Sequence, residues 1–597
     1  MRAAVEHPLV PTLKRQLVER QIERREFLRY ATLLGVAAPT AYALVAKVTG
    51  ERLIAPAEAQ GALPKGGTLR LAMRCQDLKS PHTYSWIESA NSARQVLDYL
   101  TVTGVDNITR PSLVEKWEPS PDLKTWTLRL RKTVKWHNGR QFSADDVVWN
   151  LKRVLDPKTG SSVVGLMKGF LLEDVETGEK DDKGNPKKSS RLWDANAIQK
   201  VDDFTVRLNG KTAQLAVPEQ LFHYPLLILD PAENGEFKVG SNGTGAFTLT
   251  ANEVGRKQVL KARKEGYWGG GPHLDQLEFI DLGDDPAASV SALASKQVDG
   301  LYGTDIVQLE ALQKIPHVQM YQVATAYTAT ARMQPVKPFD DKRVRQAMRY
   351  AIDSNAVLQI AHRGLGQPGE HHHVSAVHPE YAKLAPPQRD VARAKKLLAE
   401  AGYPNGIDVE IICRPQPAWE LLAVQTMVEQ WKEAGIRVKI NVMPSTQYWE
   451  VWTKVPFGFT TWAHRPLGIM SLALAYRSGG PWNESKYSNP EFDRLLGQAE
   501  GTLDVASRRE IMARLEAILQ DDGPIVQPVW RSIFTFLDKR VQGFRLHPTL
   551  YIFGHQLAIQ ACWPADPARP EALGRPGPRA CLGRSRSDCS SGSPKGR

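Results

Sequence analysis

Two arginines and a set of aromatic side chains are the residues of this sequence whose types suit the binding of a small anion. Arg414 directly follows an apolar run, and Arg465 follows Trp462 and His464. A guanidinium group favours carboxylate, phosphate or sugar-acid groups because it donates paired hydrogen bonds. Ligand sites combine such polar groups with an apolar, aromatic wall. We therefore expect an anion-binding cleft with eight candidate residues: Tyr84, Trp86, Tyr327, Arg414, Trp419, Trp462, His464 and Arg465.

The alternative for Arg465 is structural, since an arginine in a folded domain often forms ion pairs with acids of the same domain. The variant Arg465→Ala separates the two interpretations. If Arg465 binds the ligand, this change should abolish binding with little change in melting temperature.

Three consecutive histidines form the metal-like cluster of the sequence. His371, His372 and His373 could bind nickel, zinc or haem iron. They follow Pro368-Gly369-Glu370, which is typical of a loop, and adjacent loop residues rarely converge on one ion. We expect a solvated loop and no metal or cofactor, with a metal or haem receptor as the alternative.

No catalytic motif accompanies these residues. The sequence lacks a G-x-S-x-G nucleophile elbow, a P-loop, an H-E-x-x-H pair and a C-x-x-C pair. We therefore predict a protein that is not an enzyme, with a periplasmic hydrolase and an envelope chaperone as the rival functions. Cys75 and Cys413, outside the C-terminal tail, could pair or stay free.

The stretch at residues 111–155 contains the clearest elements that could position such a site. Trp126, Leu128 and Leu130 alternate with polar residues, which is typical of a half-buried strand. Ser143 can cap the helix that follows, with Asp146 in its first turn, where the helix dipole favours negative charge. Elsewhere helices and strands alternate, which indicates an α/β fold.

The two ends of the chain differ from the rest in composition. An Arg24-Arg25 pair precedes an uncharged run at residues 30–46, and a small-x-small pattern ends at Ala59, so we expect an export signal of the twin-arginine type at residues 1–59. Residues 554–597 are rich in Pro, Gly, Ser and Arg, which predicts a disordered or non-native tail.

The length and the net charge exclude further classes of protein. The chain has 597 residues, which is too long for one core and predicts several domains. Residues 1–59 hold nine Lys+Arg and six Asp+Glu, and residues 554–597 hold seven and three, which leaves about +5 of the formal +12 for the body. So small a charge on so large a body argues against nucleic-acid binding.

The order of motifs resembles one known family. The motifs are P-S-L-x-E-x-W, T-W-T-L-x-L-R, V-K-W-H-N-G and F-S-A-D-D-V-V-W-N-L-K-R within residues 111–153, then G-T-G-A-F at 243–247 and P-F-D-D-K-R-V-R-Q-A-M at 338–348. This order resembles the family 5 extracellular solute-binding proteins, the oligopeptide-, dipeptide- and nickel-binding receptors of ABC importers.

The resemblance implies a periplasmic-binding-protein type II-like fold, with two lobes joined by a hinge plus an extra domain. It implies that ligand binds between domains I and III, which close on it. The implied ranges are 60–97, 240–326 and 530–553 for domain I, 98–239 for domain II and 327–529 for domain III.

The resemblance also implies the partners. We expect a small-molecule ligand and the permease subunits of an ABC transporter, and a monomeric mature protein that is exported to the periplasm of a Gram-negative bacterium and is not embedded in the membrane. In peptide-binding members an aspartate after the tryptophan pairs with the ligand's α-amino group. Here no acid occurs between Trp462 and Arg477, and His464 and Arg465 take that place. The sequence therefore favours an anionic ligand over an ordinary peptide.

Overall fold

Helices and strands alternate along the chain in the computed structural model, which describes residues 7–50, 63–180 and 186–560. The helices are α1 (Val10–Val18), α2 (Arg24–Leu33), α3 (Ala38–Thr49), α4 (Ile87–Ala93), α5 (Ala144–Leu155), α6 (Val163–Met167), α7 (Val217–Gln220), α8 (Pro286–Ala294), α9 (Leu309–Gln313), α10 (Lys342–Tyr350), α11 (Ser354–His362), α12 (Val391–Glu400), α13 (Ala418–Glu433), α14 (Ser445–Val451), α15 (Gly468–Tyr476), α16 (Pro490–Gly501) and α17 (Val505–Asp522). The strands are β1 (Thr68–Ala72), β2 (Thr101–Thr103), β3 (Thr109–Pro111), β4 (Val114–Pro119), β5 (Thr125–Leu130), β6 (Leu172–Lys180), β7 (Pro186–Leu192), β8 (Ile198–Asp202), β9 (Thr205–Asn209), β10 (Phe247–Glu253), β11 (Lys257–Ala262), β12 (Gln276–Ile280), β13 (Gly300–Leu301), β14 (Val318–Met333), β15 (Gly366–Pro368), β16 (Ile407–Cys413), β17 (Ile436–Val442), β18 (Phe457–Trp462), β19 (Ile525–Val526), β20 (Val529–Asp538), β21 (Val541–Gln542) and β22 (Ala558–Ile559).

One mixed sheet of twelve strands runs through the molecule. Its order is β10-β11-β12-β1-β13-β20-β14-β18-β16-β17, with β15 on β20 and β19 on β14. β1 is parallel to β12 and β13, and β16 is parallel to β17 and β18. The long antiparallel pair β14–β20 lies between these two parallel parts and connects them. This sheet and its helices confirm the predicted α/β class.

A separate antiparallel sheet, in the order β4-β5-β9-β8, contains the strand predicted at residues 125–131. Trp126, Leu128 and Leu130 are buried on one face of β5, as their period of two predicts. Ser143 and Asp146 form a capping box at the start of α5, which confirms the predicted helix start.

The N-terminal helices α1, α2 and α3 belong to the same hydrophobic core as this four-stranded sheet and the helices α15, α16 and α17. The predicted export signal at residues 1–59 therefore falls partly on these helices and partly on residues 1–6 and 51–59, which lie outside the described residues. Within the described part of the chain, no helix has the length and apolar character needed to cross a bilayer.

The C-terminal boundary of the fold needs a correction. The tail was predicted to begin at residue 554, but β22 pairs with β21, and Leu557 and Ala558 are buried. Leu557 belongs to the core around β1 and β10–β12 and Ile559 packs against it, so the fold continues to residue 560. The remaining tail, residues 561–597, lies outside the described residues.

A buried ion pair fastens β14 to the segment after α15. Arg332 and Glu484 are almost fully buried, and the distance from Arg332 Nε to Glu484 Oε2 is 2.7 Å. The Thr460 hydroxyl donates to the same carboxylate oxygen over 2.6 Å, and the Arg332 guanidinium donates to the carbonyl oxygens of Trp452 and Val455. The charges are therefore paired and hydrogen-bonded, which a low-dielectric interior requires.

Removing one member of this pair should destabilise the whole body. Arg332→Ala leaves the Glu484 carboxylate buried and unpaired, which costs about 3–5 kcal/mol of the free energy of unfolding. Lys439→Ala is the matched control, because Lys439 pairs with Glu410 at the exposed surface and such pairs contribute at most ~1 kcal/mol. Urea denaturation measures both. Equal unfolding midpoints for the two variants would contradict the importance of the buried pair.

Candidate functional site

A cavity of about 290 Å³ opens at the carboxyl ends of the parallel strands. Arg74 follows β1, Asp284 follows β12, Thr304 follows β13 and Arg414 follows β16, and all four residues line the cavity. In α/β sheets ligands bind outside the carboxyl ends of the strands, because loops from several strands converge there. The cavity joins residues of the predicted domains I and III.

Five of the eight predicted site residues line this cavity. They are Trp86, Tyr327, Arg414, Trp462 and Arg465. They come from distant parts of the sequence, and the fold places them around one volume. Their contact with a ligand stays a prediction.

The other three residues lie outside the lining, which corrects the prediction for them. The Tyr84 ring is buried in the core, and its hydroxyl donates to the carbonyl oxygen of Leu78 over 3.0 Å. Trp419 is fully buried on α13, beneath the guanidinium of Arg531 at 5.0 Å from its ring centroid. Neither ring is part of the lining of this cavity.

The third, His464, supports the site from behind. Its Nδ1 accepts a hydrogen bond from the backbone N–H of Ala326 over 3.0 Å, and its Nε2 lies 2.9 Å from Asn107 Oδ1. Ala326 lies in a β-bulge, where the pairing of β14 with β20 shifts between Ala324 and Tyr327. A bulge re-aims the side chains that follow it. His464 therefore holds the bulge in place through this hydrogen bond.

Arg531 is a cavity residue that the sequence reasoning missed. It lies on β20 directly opposite Tyr327, and its guanidinium carbon is 5.1 Å from the centroid of the Tyr327 ring. Its side chain is buried, its Nε has no hydrogen-bond partner, and burial lowers its pKa. No local signal marks it, because polar and apolar residues of β20 are all buried.

Arg465 also faces the cavity without a carboxylate partner. Its Nη1 donates to the carbonyl oxygens of Ala463 and His464 over 3.2 and 3.1 Å, and its Nε has no partner. Its guanidinium carbon lies 5.4 Å from the centroid of the Tyr224 ring. Among the described residues, neither Arg465 nor Arg531 has a carboxylate within ion-pair distance. The scaffold interpretation of Arg465 therefore lacks the acid that it requires.

The other two arginines of the lining are neutralised within the protein. Arg414 Nη2 lies 2.5 Å from Glu420 Oε1, and both side chains are buried. Burial raises the pKa of Glu420, while Arg414 lowers it. Arg74 forms ion pairs with Asp281 and Asp284. These paired groups hold the walls of the cavity together and leave little net charge for a ligand.

Tryptophan side chains form one aromatic wall of the cavity. Neighbouring rings meet edge to face, with centroids 5.6–6.1 Å apart. Trp462 is fixed because its Nε1 donates to Glu484 Oε1 over 2.7 Å. The wall consists of Trp86, Trp449, Trp452, Trp462 and Trp482.

The histidine run is buried, so the predicted solvated loop is wrong. His371, His372 and His373 have at most 1% of their surface exposed. His371 Nδ1 accepts a hydrogen bond from the backbone N–H of Gln527, and His373 Nδ1 lies 3.1 Å from the Tyr476 hydroxyl. The loop packs inward because these imidazoles hydrogen-bond to groups of the core. Within the described ranges, no group of three or more His, Cys, Asp or Glu side chains is arranged to hold a metal ion.

The two body cysteines do not pair. Cys75 and Cys413 are buried free thiols. Burial raises the pKa of each to about 12, so both stay protonated at neutral pH. They therefore lack the thiolate that reactive cysteines need.

The buried histidines predict acid sensitivity. Burial lowers the pKa of His371 to about 3 from an ordinary value of 6.5. Between these values the unfolded chain binds a proton that the folded chain does not, so the free energy of unfolding falls as the pH falls. His371→Asn keeps an acceptor for the Gln527 N–H and removes the titrating group. We expect the slope of stability against pH between 4 and 6 to decrease by about 1.4 kcal/mol per pH unit.

Guanidinium denaturation of wild type and His371→Asn at several pH values measures the two slopes. Identical slopes would contradict a depressed pKa for the His371 imidazole. A lower stability of the variant at pH 7 alone would only report a packing change, because both chains are then compared outside the titration window.

Known proteins similar to this chain are solute receptors. The model of the bacterial extracellular solute-binding proteins, family 5 Middle, matches residues 109–483. The chain is 26% identical over 472 residues to a heme-binding protein A of Haemophilus influenzae, which covers 74% of this chain and 82% of that protein. It is 25% identical to the periplasmic oligopeptide-binding protein OppA of the same organism, over 77% of this chain and 86% of that one.

Solved structures confirm the fold. The OppA of Haemophilus influenzae in complex with RPPGFSPFR superposes with a TM-score of 0.71 at 21% identity, covering 83% of this chain and all of that one. The protein DppA of Helicobacter pylori in complex with the peptide STSA gives a TM-score of 0.70 at 20% identity, covering 83% and 98%. The family match and this shared periplasmic-binding-protein fold together show that the chain belongs to the family 5 bacterial extracellular solute-binding proteins.

Proposed function

We propose that this chain is the receptor of an ABC importer for a small anionic solute, which it binds in the cavity and delivers to the permease. The observation that carries the proposal is the pair of buried guanidinium groups, Arg465 and Arg531, that face the cavity without carboxylate partners. Membership of the family supports the receptor role, and the arginines support the class of ligand.

The physical reason is the cost of a desolvated charge. A buried cation without a counter-ion is unfavourable, and a carboxylate or phosphate that binds beside it removes that cost. A guanidinium also matches the planar geometry of these anions with paired hydrogen bonds. Arg465 and Arg531 both line the cavity, so a bound anion can accept hydrogen bonds from the guanidinium groups that border it, while the Nε atoms of both arginines are buried without a partner in the protein.

The acids of the cavity oppose an anion less than their number indicates. Glu420 and Asp284 are neutralised by arginines, and Asp285 caps α8 through the backbone N–H of Ala287. Glu88 and Asp305 remain, and burial raises the pKa of both. The Arg531 guanidinium acts in the opposite direction and lowers the pKa of Asp305, so these two charges partly balance each other at the cavity.

The size of the cavity favours a compact solute. A volume of about 290 Å³ lies at the small end of the range for ligand pockets, roughly 300–1,000 Å³. The tryptophan wall offers flat apolar surface to the uncharged part of the ligand. Sugar acids, opine-like conjugates and modified peptides with an acidic group combine these properties.

Binding and lobe closure complete the proposed function, and no covalent chemistry is part of it. The ligand stabilises the closed arrangement of the two lobes because it binds that arrangement more tightly than the open one. Domain I at 60–97, 240–326 and 530–553, and domain III at 327–529, form the walls of the cavity in this proposal. The receptor acts as a monomer in the periplasm, outside the membrane.

Substitution of the unpaired arginines tests the class of ligand. We expect Arg531→Gln and Arg465→Gln each to weaken binding of the solute that co-purifies with the wild-type chain by about 30-fold or more, since loss of a buried charge partner costs 2–5 kcal/mol. Both variants should keep the melting temperature of the wild type, because each removes an unpaired buried charge.

Native mass spectrometry measures the bound fraction over a dilution series. Arg437→Gln is the matched control, because Arg437 pairs with Asp408 at the exposed surface and should leave occupancy unchanged. Wild-type affinity in both cavity variants would refute the anionic ligand. It would leave the receptor role to be tested with other solutes.

A further inference from the structure

The N-terminal segment, residues 7–50, is buried against the body over most of its length. Twelve of its apolar residues have 6% or less of their surface exposed, and the core that they enter also contains β4, β5 and the helices α16 and α17. The twelve residues are Val10, Leu13, Leu17, Ile22, Phe27, Leu28, Tyr30, Ala31, Leu33, Leu34, Ala41 and Val45. Burial of their apolar surface favours association of the segment with the body, because it is the dominant favourable term in association.

One side of the segment is fixed to the region around the four-stranded sheet. Trp117 on β4 is buried, and its Nε1 donates to the carbonyl oxygen of Leu33 over 2.9 Å. The Tyr42 hydroxyl donates to Asp106 over 2.8 Å, and Arg110 pairs with the same carboxylate over 2.6 Å. The contacts are specific, because a buried indole N–H needs the particular carbonyl group that this segment supplies.

The other side is fixed to the start of α17. Glu26 pairs with Arg509, and the Tyr30 hydroxyl accepts a hydrogen bond from Arg508. Arg508 has none of its surface exposed, and its guanidinium carbon lies 4.7 Å from the centroid of the Tyr30 ring. The body therefore has a fully desolvated arginine whose cation is covered by the segment, which is a feature of a built contact surface.

We infer that residues 7–50 are a stably docked part of the folded protein, which joins the four-stranded sheet to α17 and stays bound even when the chain is cut between residues 50 and 63. Phe27 and Leu28, which follow the paired arginines of the predicted export signal, are both in the core. The docked segment hides the apolar part of that signal. Cleavage after Ala59 would therefore leave a two-piece protein instead of a shorter one.

A cut in the full-length chain tests this directly. A recognition sequence for a specific protease is inserted between residues 50 and 63, the purified protein is cut, and the products are separated by gel filtration under native conditions. We expect the N-terminal fragment to elute with the body and the melting temperature to stay within a few degrees of the uncut protein. Separation of the fragment from a body that keeps its melting temperature would overturn the inference.

Two substitutions within the segment provide a matched comparison. Phe27→Asp places a charge at a fully buried position, whereas Val18→Asp places the same charge at a position that is 61% exposed. After the cut we expect Phe27→Asp to lower the retained fraction of the fragment at least tenfold and Val18→Asp to leave it unchanged. Equal retention in the two variants would show that the assigned contact surface is wrong. The outcome does not depend on the ligand, so it is separable from the test of the receptor function.

Discussion

Two buried guanidinium groups, which have no carboxylate within ion-pair distance among the described residues, are the constraint around which the rest of the site is arranged. Arg465 and Arg531 are both buried, and water cannot solvate them as it would solvate a surface arginine. Aromatic rings and backbone carbonyl groups compensate for part of this cost, through Tyr224 for Arg465 and through Tyr327 for Arg531. The remainder is a free energy that an anionic ligand can recover on binding. The other arginines of the cavity differ because each has an acid beside it.

The geometry of these two groups depends on the centre of the large sheet. Arg531 lies on β20, the strand through which the two parallel parts of the sheet are connected, and the bulge in β14 aligns it with Tyr327. His464 holds the bulge, and the Arg332–Glu484 pair holds the end of β18, where Trp462 reaches the cavity. Since the carboxyl ends of β1, β12, β13 and β16 surround the same volume, the sheet fixes the site more than any one loop does.

The elements of this fold were largely predictable, because their signals are local. The alternation in β5 and the capping box of α5 each depend on a few consecutive residues. The order of the longer motifs identified the family. Trp462 and Arg465 could be placed near the ligand for the same reason. Arg531 could not, because all ten residues of its strand are buried, so no periodicity marks the face that it occupies. Tyr84 and Trp419 were predicted to line the cavity but lie in the core. An aromatic residue type predicts burial, but it does not predict whether the ring faces the cavity or the core behind it. The prediction for the histidine run was wrong because loop residues are normally solvated, and only tertiary packing brings the run to its hydrogen-bond partners, such as the Gln527 N–H that donates to His371.

The measurement that tests the central claim most directly is the identification of the solute that the wild-type protein carries. The protein is isolated from cells that produce it, the bound molecule is released by denaturation, and its mass and net charge are determined by high-resolution mass spectrometry. We expect a compact organic molecule with at least one carboxylate or phosphate group, because such a group accepts from the guanidinium donors and also neutralises their charge. A cationic or uncharged solute would contradict the role assigned to Arg465 and Arg531.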